Sequence, residues 1–158
     1  MALTRRSQRE QPQKTMEIPL ADRSLSQLAE TMKAIDIAML VTKTAKGGKI
    51  AARPMSNNGD VNESDGSTHH FTTDDGRIDD DLRADRQCGL TYRDGDFYAA
   101  VQGQGELIRD RATQEKHWVP DLEKWFEDGL DTEGLILIKV KPDRIDWWDG
   151  REEGEVTL

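Results

Sequence analysis

Apolar and polar positions fall into short blocks of two different periods. Ser24 and Gln27 form a capping-box pattern, and Leu25, Leu28, Met32 and Ile35 then recur at helical spacing, which predicts an amphipathic helix over residues 25–36. "IAMLVTK" (37–43) and "KIAARPMS" (49–56) read as strands joined through "TAKGG", with Gly47 and Gly48 at the turn. Residues 57–68 are rich in Asn, Asp, Gly and Ser and lack periodicity, so they read as a loop leading into a third strand, "HHFTT". Residues 77–85 suit a short helix with Ile78 and Leu82 on one face. "CGLTYRD" and "FYAAVQGQGELIRD" follow as two strands around a "GD" turn, and Gly103 and Gly105 suggest a bulge or a barrel corner in the second.

A helical pattern from Thr113 to Pro120 and a second turn from Asp121, with Leu122, Trp125 and Phe126 facing inward, leave the sheet briefly. "GLILIKVKP" and "RIDWWDG" are expected to finish as a hairpin about Pro142 and Asp143, followed by an exposed acidic end, "REEGEVTL". Strands at this spacing with short connections predict a mainly β chain with a few helices. An antiparallel barrel fits better than a doubly wound sheet, whose parallel strands would each need a crossover helix.

Composition narrows the function classes. The 158 residues are the size of one domain, expected over 17–158 after a disordered basic tail at 1–16. Net charge is −9 overall, and the tail holds four basic residues against one acidic, so the acidic excess lies in the domain. A surface of that sign repels nucleic acid, so no nucleic-acid partner is expected. The tail has no apolar segment, which argues against a signal peptide or membrane anchor. With Cys88 alone no disulfide forms within the chain, which makes a cytoplasmic location the default and a buried small side chain the expected role of Cys88.

Five groups of residues could carry chemistry. In "AARPMS", Pro54 marks a break in pairing and holds Arg53 extended beside small neighbours, which suits a flat anionic ligand; an edge strand with a surface arginine is the plainer account. "FTT" (71–73) places hydroxyls before a helix start, where free N–H groups and Arg77 could cradle an anion, or where a residue of Thr73 to Asp75 simply caps the helix. "TTDDGRIDDDLRADR" carries six aspartates in fifteen positions, but a calcium loop starting at Asp74 puts Asp79 at its sixth place and Asp85 at its twelfth, and the register fails. Asp79, Asp80 and Asp81 are then expected on a solvated helix face. His69, His70 and His117 give no metal-ligand spacing, and adjacent histidines in a strand point to opposite faces, so no metal is expected. "WW" at 147–148 sends one indole inward and one outward, so a ligand or a subunit should cover the second.

Taken in order, "AMLVTK…GKIAARPMS", "HFTTDD", "RQCGLTYRD", "AVQGQGEL", "HWVPDLEKWFEDG" and "LILIKVKPDRIDWWDG" resemble the general stress protein branch of the pyridoxamine 5′-phosphate oxidase-like family, over about residues 24–150. The resemblance implies an FMN-binding split β-barrel, antiparallel and Greek-key-like, forming a homodimer with two FMN molecules at the interface. It implies a flavin-dependent oxidoreductase acting on an unknown small substrate, in which the flavin does the chemistry and no side chain is named as catalytic. Arg53, Pro54 and Met55 match the segment facing the flavin, Phe71, Thr72 and Thr73 the strand end near its phosphate, and Trp148 the tryptophan near cofactor or interface. The serine and lysine that usually follow are replaced here by "DDGRIDDD", which leaves Arg77 as the only cation before the second half of that helix. Two alternatives stay open: a non-enzymatic FMN-binding stress protein, and a relative that has lost flavin and binds another ligand.

Overall fold

A computed structural model describes residues 22–158, so the tail expected at 1–16 lies outside the described residues. Helix α1 (Leu25–Lys33) opens with both reciprocal bonds of the capping box and buries Leu28, Ala29 and Met32. It stops at Lys33 rather than at residue 36, and Ile35 enters the core from beyond the helix. The fully buried Asn57 explains how the helix end is tolerated inside. Its Nδ2 donates to the carbonyls of Met32 and Ile35 at 2.9 and 3.0 Å, and the Tyr92 hydroxyl donates to its Oδ1 at 3.2 Å. Burial pushes the Tyr92 phenol well above its ordinary range, which keeps it a donor.

The remaining elements are β1 (Ile37–Lys43), β2 (Ile50–Ser56), β3 (Thr68–Thr73), α2 (Arg77–Ala84), β4 (Gln87–Asp94), β5 (Phe97–Ile108), α3 (Arg111–His117), β6 (Leu135–Asp149) and β7 (Glu152–Thr157). All pairings are antiparallel, in the order β2-β1-β4-β5-β6-β3, with β7 also on β6. The two ends of that order curl toward each other without a ladder between β2 and β3, which makes the barrel split. Most of the core fills its interior, and a smaller cluster of Phe71, Leu122, Leu135 and Leu137 lies under the excursion between α3 and β6. Cys88 packs against the main core, and burial raises its thiol to about 11, a packing residue rather than a nucleophile.

At the C-terminal end one expectation fails, and the exposed acidic end carries a strand that the apolar pattern does not predict. No hairpin forms about Pro142, because β6 runs unbroken through it. Gln102 pairs with Arg144 and Gly103 with Pro142, so Asp143 is the extra residue of a bulge, where a strand tolerates a missing N–H. The hairpin comes later, at Gly150 with φ +60°, and the acidic end expected to be exposed pairs along β6 as β7. Apolar periodicity is nearly absent from "EEGEVT"; a backbone ladder holds it, with Gly154 opposite the fully buried Trp147. In the excursion, Asp110 caps α3 by accepting from the Thr113 N–H, and a 3-10 turn follows at Pro120–Lys124. Leu122 is buried there as expected, whereas Trp125 is 64% exposed.

The split is bridged by His70. This fully buried ring contacts the Ser56 carbonyl of β2 at 3.0 Å through Nδ1 and Thr68 Oγ1 at 2.8 Å through Nε2. Neutral imidazole satisfies both, donating to the carbonyl and accepting from the hydroxyl. Burial lowers its pKa from 6.5 to about 4. Between those values the unfolded chain takes up a proton that the folded chain refuses, so stability falls with pH by up to about 1.4 kcal/mol per unit. Urea midpoints at pH 7 and pH 4.5 should therefore diverge more for the parent than for His70→Gln. Equal divergence would remove His70 as the cause.

Candidate functional site

The unpaired edge of β2 meets α2 at a buried carboxylate. Asp81 is 2% exposed and accepts from Thr42 Oγ1 at 3.0 Å, from the Ala45 N–H at 2.9 Å and from Arg53 Nη2 at 3.2 Å. Arg53 Nη1 also donates to Thr42 Oγ1 at 2.9 Å. Asp81 thus belongs to the interior, not to the solvated face expected of it. Alternation along β2 places Arg53 half-buried on the α2 side of the sheet, and Ile78 and Leu82 hold α2 there by entering the core. Arg53 is therefore committed in part to an internal anion.

In front of this pair lies a cavity of about 380 Å³ lined by Thr44, Ala45, Lys46, Lys49, Arg77, Asp80 and Asp81. Lys46 and Lys49 come from the β1–β2 turn, and Arg77 is the first residue of α2. Gly76 caps α2 without a side chain, so its first N–H groups have no side-chain acceptor. Among the described residues, none of the three cations forms an ion pair. The acidic residues nearby are mostly engaged elsewhere. Arg109 binds Asp74 and Asp79 at 2.9 and 2.8 Å, Arg83 binds Asp79 at 3.0 Å, and Lys43 approaches Asp85 at 3.6 Å. Among the described residues, with Asp81 closed by Arg53, Asp80 is the one cavity-lining carboxylate without an ion pair, and it faces three cations.

The other predicted residues scatter. Thr72 and Thr73 are half-buried at the end of β3, where the Thr73 hydroxyl donates to Asp75 rather than standing free. Pro54 is exposed on β2, while Met55 turns its side chain into the main core and offers only its backbone to the edge. Phe71 belongs to the small cluster under the excursion, edge-on to Trp118 at 5.2 Å. Trp148 lies at the opposite end of β6 from Leu135, the partner of Thr73, and so roughly 40 Å away along the strand. Its indole is 42% exposed beside Tyr98 on the outer face, as the alternation at "WW" predicts.

A sequence profile described as "Pyridoxamine 5'-phosphate oxidase like" matches residues 23–158. The chain belongs to that family. General stress protein 26 of Bacillus subtilis is 31% identical over 64 residues, a stretch covering 40% of this chain and 45% of that relative. The match thus spans less than half of the curated relative's length. Among solved structures, a protein related to general stress protein 26 from Clostridium acetobutylicum superimposes with a TM-score of 0.72 at 17% identity, covering 85% of this chain and 94% of the other. A general stress FMN/FAD binding protein from Xanthomonas citri does so with a TM-score of 0.68 at 23% identity, covering 79% and 87%. The antiparallel split barrel is the fold they share.

Two groupings in this pyridoxamine 5′-phosphate oxidase-like chain are made by packing and not by any local sequence pattern. Lys46 and Lys49 sit in a turn that advertises itself only through its glycines, and nothing local says that α2 will pack against it. His69 and His117 are far apart in sequence, yet their rings stack with centroids 3.6 Å apart. His69 Nδ1 lies 3.1 Å and His117 Nδ1 2.6 Å from the two oxygens of Asp60. Burial pushes the Asp60 carboxyl up, but hydrogen bonds from both histidines outweigh it and hold the group below its usual range. Among the described residues, no helix is long and apolar enough to cross a membrane.

Proposed function

We propose that this chain is an FMN-binding flavoprotein that works as a homodimer and transfers hydride or electrons to or from a small substrate. The observation carrying the reading is the cavity in front of Arg53, with Lys46, Lys49 and Arg77 facing a single unpaired carboxylate. A phosphate brings close to two negative charges and three acceptor oxygens, which matches that excess. The residues present fit the group: the lysines take the part of the serine and lysine missing from "DDGRIDDD". Lys46, Lys49, Arg77 and the free N–H groups of α2 would hold the phosphate, and Thr44 would offer a hydroxyl. Arg53 supports this wall from behind by pinning Asp81, so that its carboxylate does not face the anion unpaired. Bound flavin would supply the redox chemistry, while the chain binds, orients and shields it.

Trp148 supports the dimer. It stands at the far end of β6 from the cations, so one flavin would meet both only if a second copy lends its tryptophan. Ile37, Met39, Tyr98 and Trp148 on the outer face of the sheet are large apolar groups left exposed in one protomer. Sedimentation should show a dimer for the parent, and Trp148→Asp should shift it to monomer and lower FMN affinity. A dimer that survives the substitution would move the interface elsewhere.

The test of flavin binding is direct. Purified protein should be yellow, or the apo form should take up FMN in a fluorescence titration. A Lys46→Gln/Lys49→Gln double variant should bind FMN at least tenfold more weakly, on the order of 1.5 kcal/mol or more. Riboflavin, which lacks the phosphate, should bind parent and variant alike. Failure of the parent to take up either flavin would sink the proposal. Anaerobic reduction of the bound flavin by NADH or NADPH then separates an oxidoreductase from a flavin-binding stress protein.

A further inference from the structure

We propose that Asp60, His69 and His117 form a binding site for a divalent transition-metal ion of the zinc class, away from the cavity assigned to flavin. The three donors come from three elements that the fold alone brings together. Alternation along β3 sends His70 to the core and leaves its neighbour His69 on the outer side. His117, the last residue of α3, closes over His69, and the left-handed pair Asn58 and Gly59 turns the loop after β2 so that Asp60 faces both rings. One ligand atom from each of the three residues lies within 4.8 Å of the other two.

The chemistry of the set selects the ion. Here two imidazoles present the same ring nitrogen to opposite oxygens of one carboxylate, a convergent N₂O set. Imidazole nitrogen suits zinc, copper, nickel and iron, whereas calcium and magnesium prefer oxygen alone. Side-chain exposures of 22% for Asp60, 10% for His69 and 25% for His117 leave the donors reachable yet sheltered. A cavity of about 360 Å³ over them, lined also by Asn62, Lys33 and Lys116, leaves a fourth coordination position for water or a small anion. Lys33 leans toward Glu63 at 3.4 Å, which draws part of that positive charge aside. Coordination turns the rings out of their stack so that both Nδ1 lone pairs meet at one point, and moves each ring proton to Nε2. The ion would then fasten α3 to β3 and to the loop before it.

Zinc titrated into the full chain in competition with a chromophoric chelator tests this. One equivalent per chain should bind, and Asp60→Asn and His117→Gln should each lower the affinity at least tenfold. Zinc should raise the melting temperature of the parent and leave that of His117→Gln unchanged. Histidine ring ¹⁵N spectra of the parent should show the Nδ1 signals of His69 and His117 moving and those of His70 staying. This last readout does not depend on any variant folding. No saturable uptake by the parent, or equal uptake by both variants, would overturn the assignment. FMN uptake is measured separately, so this result stands or falls independently of the flavin reading.

Discussion

Gly103→Ala is expected to unfold the chain about 10 °C lower than the parent in a thermal melt. A Cβ at this position would come within 2.3 Å of the Lys141 carbonyl oxygen and 3.0 Å of its carbon, both backbone atoms of the strand bulge. Neither can rotate away as a side chain would. Relief requires the bulge at Pro142 and Asp143 to open, at a cost of roughly 3 kcal/mol, the upper end for overpacking. For a chain of this size each kcal/mol moves the midpoint by about 2 to 4 °C. Gly105 provides the control. There the nearest atoms are the terminal carbons of Leu82 at 3.0 and 3.2 Å, which can shift, so Gly105→Ala should cost clearly less. Equal losses would mean that the β5–β6 bulge is more pliable than its geometry implies.

Asp81→Ala is expected to cost on the order of 3 kcal/mol. The substitution leaves the Arg53 guanidinium half-buried without its counter-ion and strips the Ala45 N–H of its acceptor. Replacing both charges should recover much of the loss, so Asp81→Leu combined with Arg53→Met should be more stable than Asp81→Leu alone. A double-mutant cycle read by urea denaturation gives the coupling. Additive losses would show that the pair acts only through separate contacts. Because Asp81 also pins the β1–β2 turn through Ala45, the single variant should lower FMN uptake as well, through the displaced Lys46 and Lys49.

The legible parts of this protein are those where period and local chemistry agree. α1 was predictable because the capping box and the stripe of Leu25, Leu28 and Met32 point the same way, and only its end moved, since Asn57 supplies the stop from another element. The β1–β2 hairpin, β4, β5 and the split of the two indoles at 147 and 148 followed from alternation and turn glycines. Pro142 misled because a proline usually ends a strand. Across from Gly103 it falls at a bulge, and the sequence of β6 cannot reveal what lies across the ladder. β7 was missed for the opposite reason: its stability comes from backbone pairing, which leaves no apolar signature.

The candidate site divides along the same line. The acidic run at 72–86 and the resemblance around "RPM" and "FTT" point toward the corner where α2 meets the edge of β2, the place of the proposed flavin site. Which residues line that corner was decided by packing. Burial and hydrogen bonding turned Asp81 from a surface charge into the partner of Arg53, and sent Phe71 and Met55 into cores. The same packing brought Lys46 and Lys49 beside Arg77. Periodicity and turn chemistry act within a few residues of chain, so the sequence by itself determined β1 to β5, the barrel class and the family. The meeting of Arg53 with Asp81, and of Asp60 with His69 and His117, spans up to 57 residues of sequence and was decided only when the strands closed.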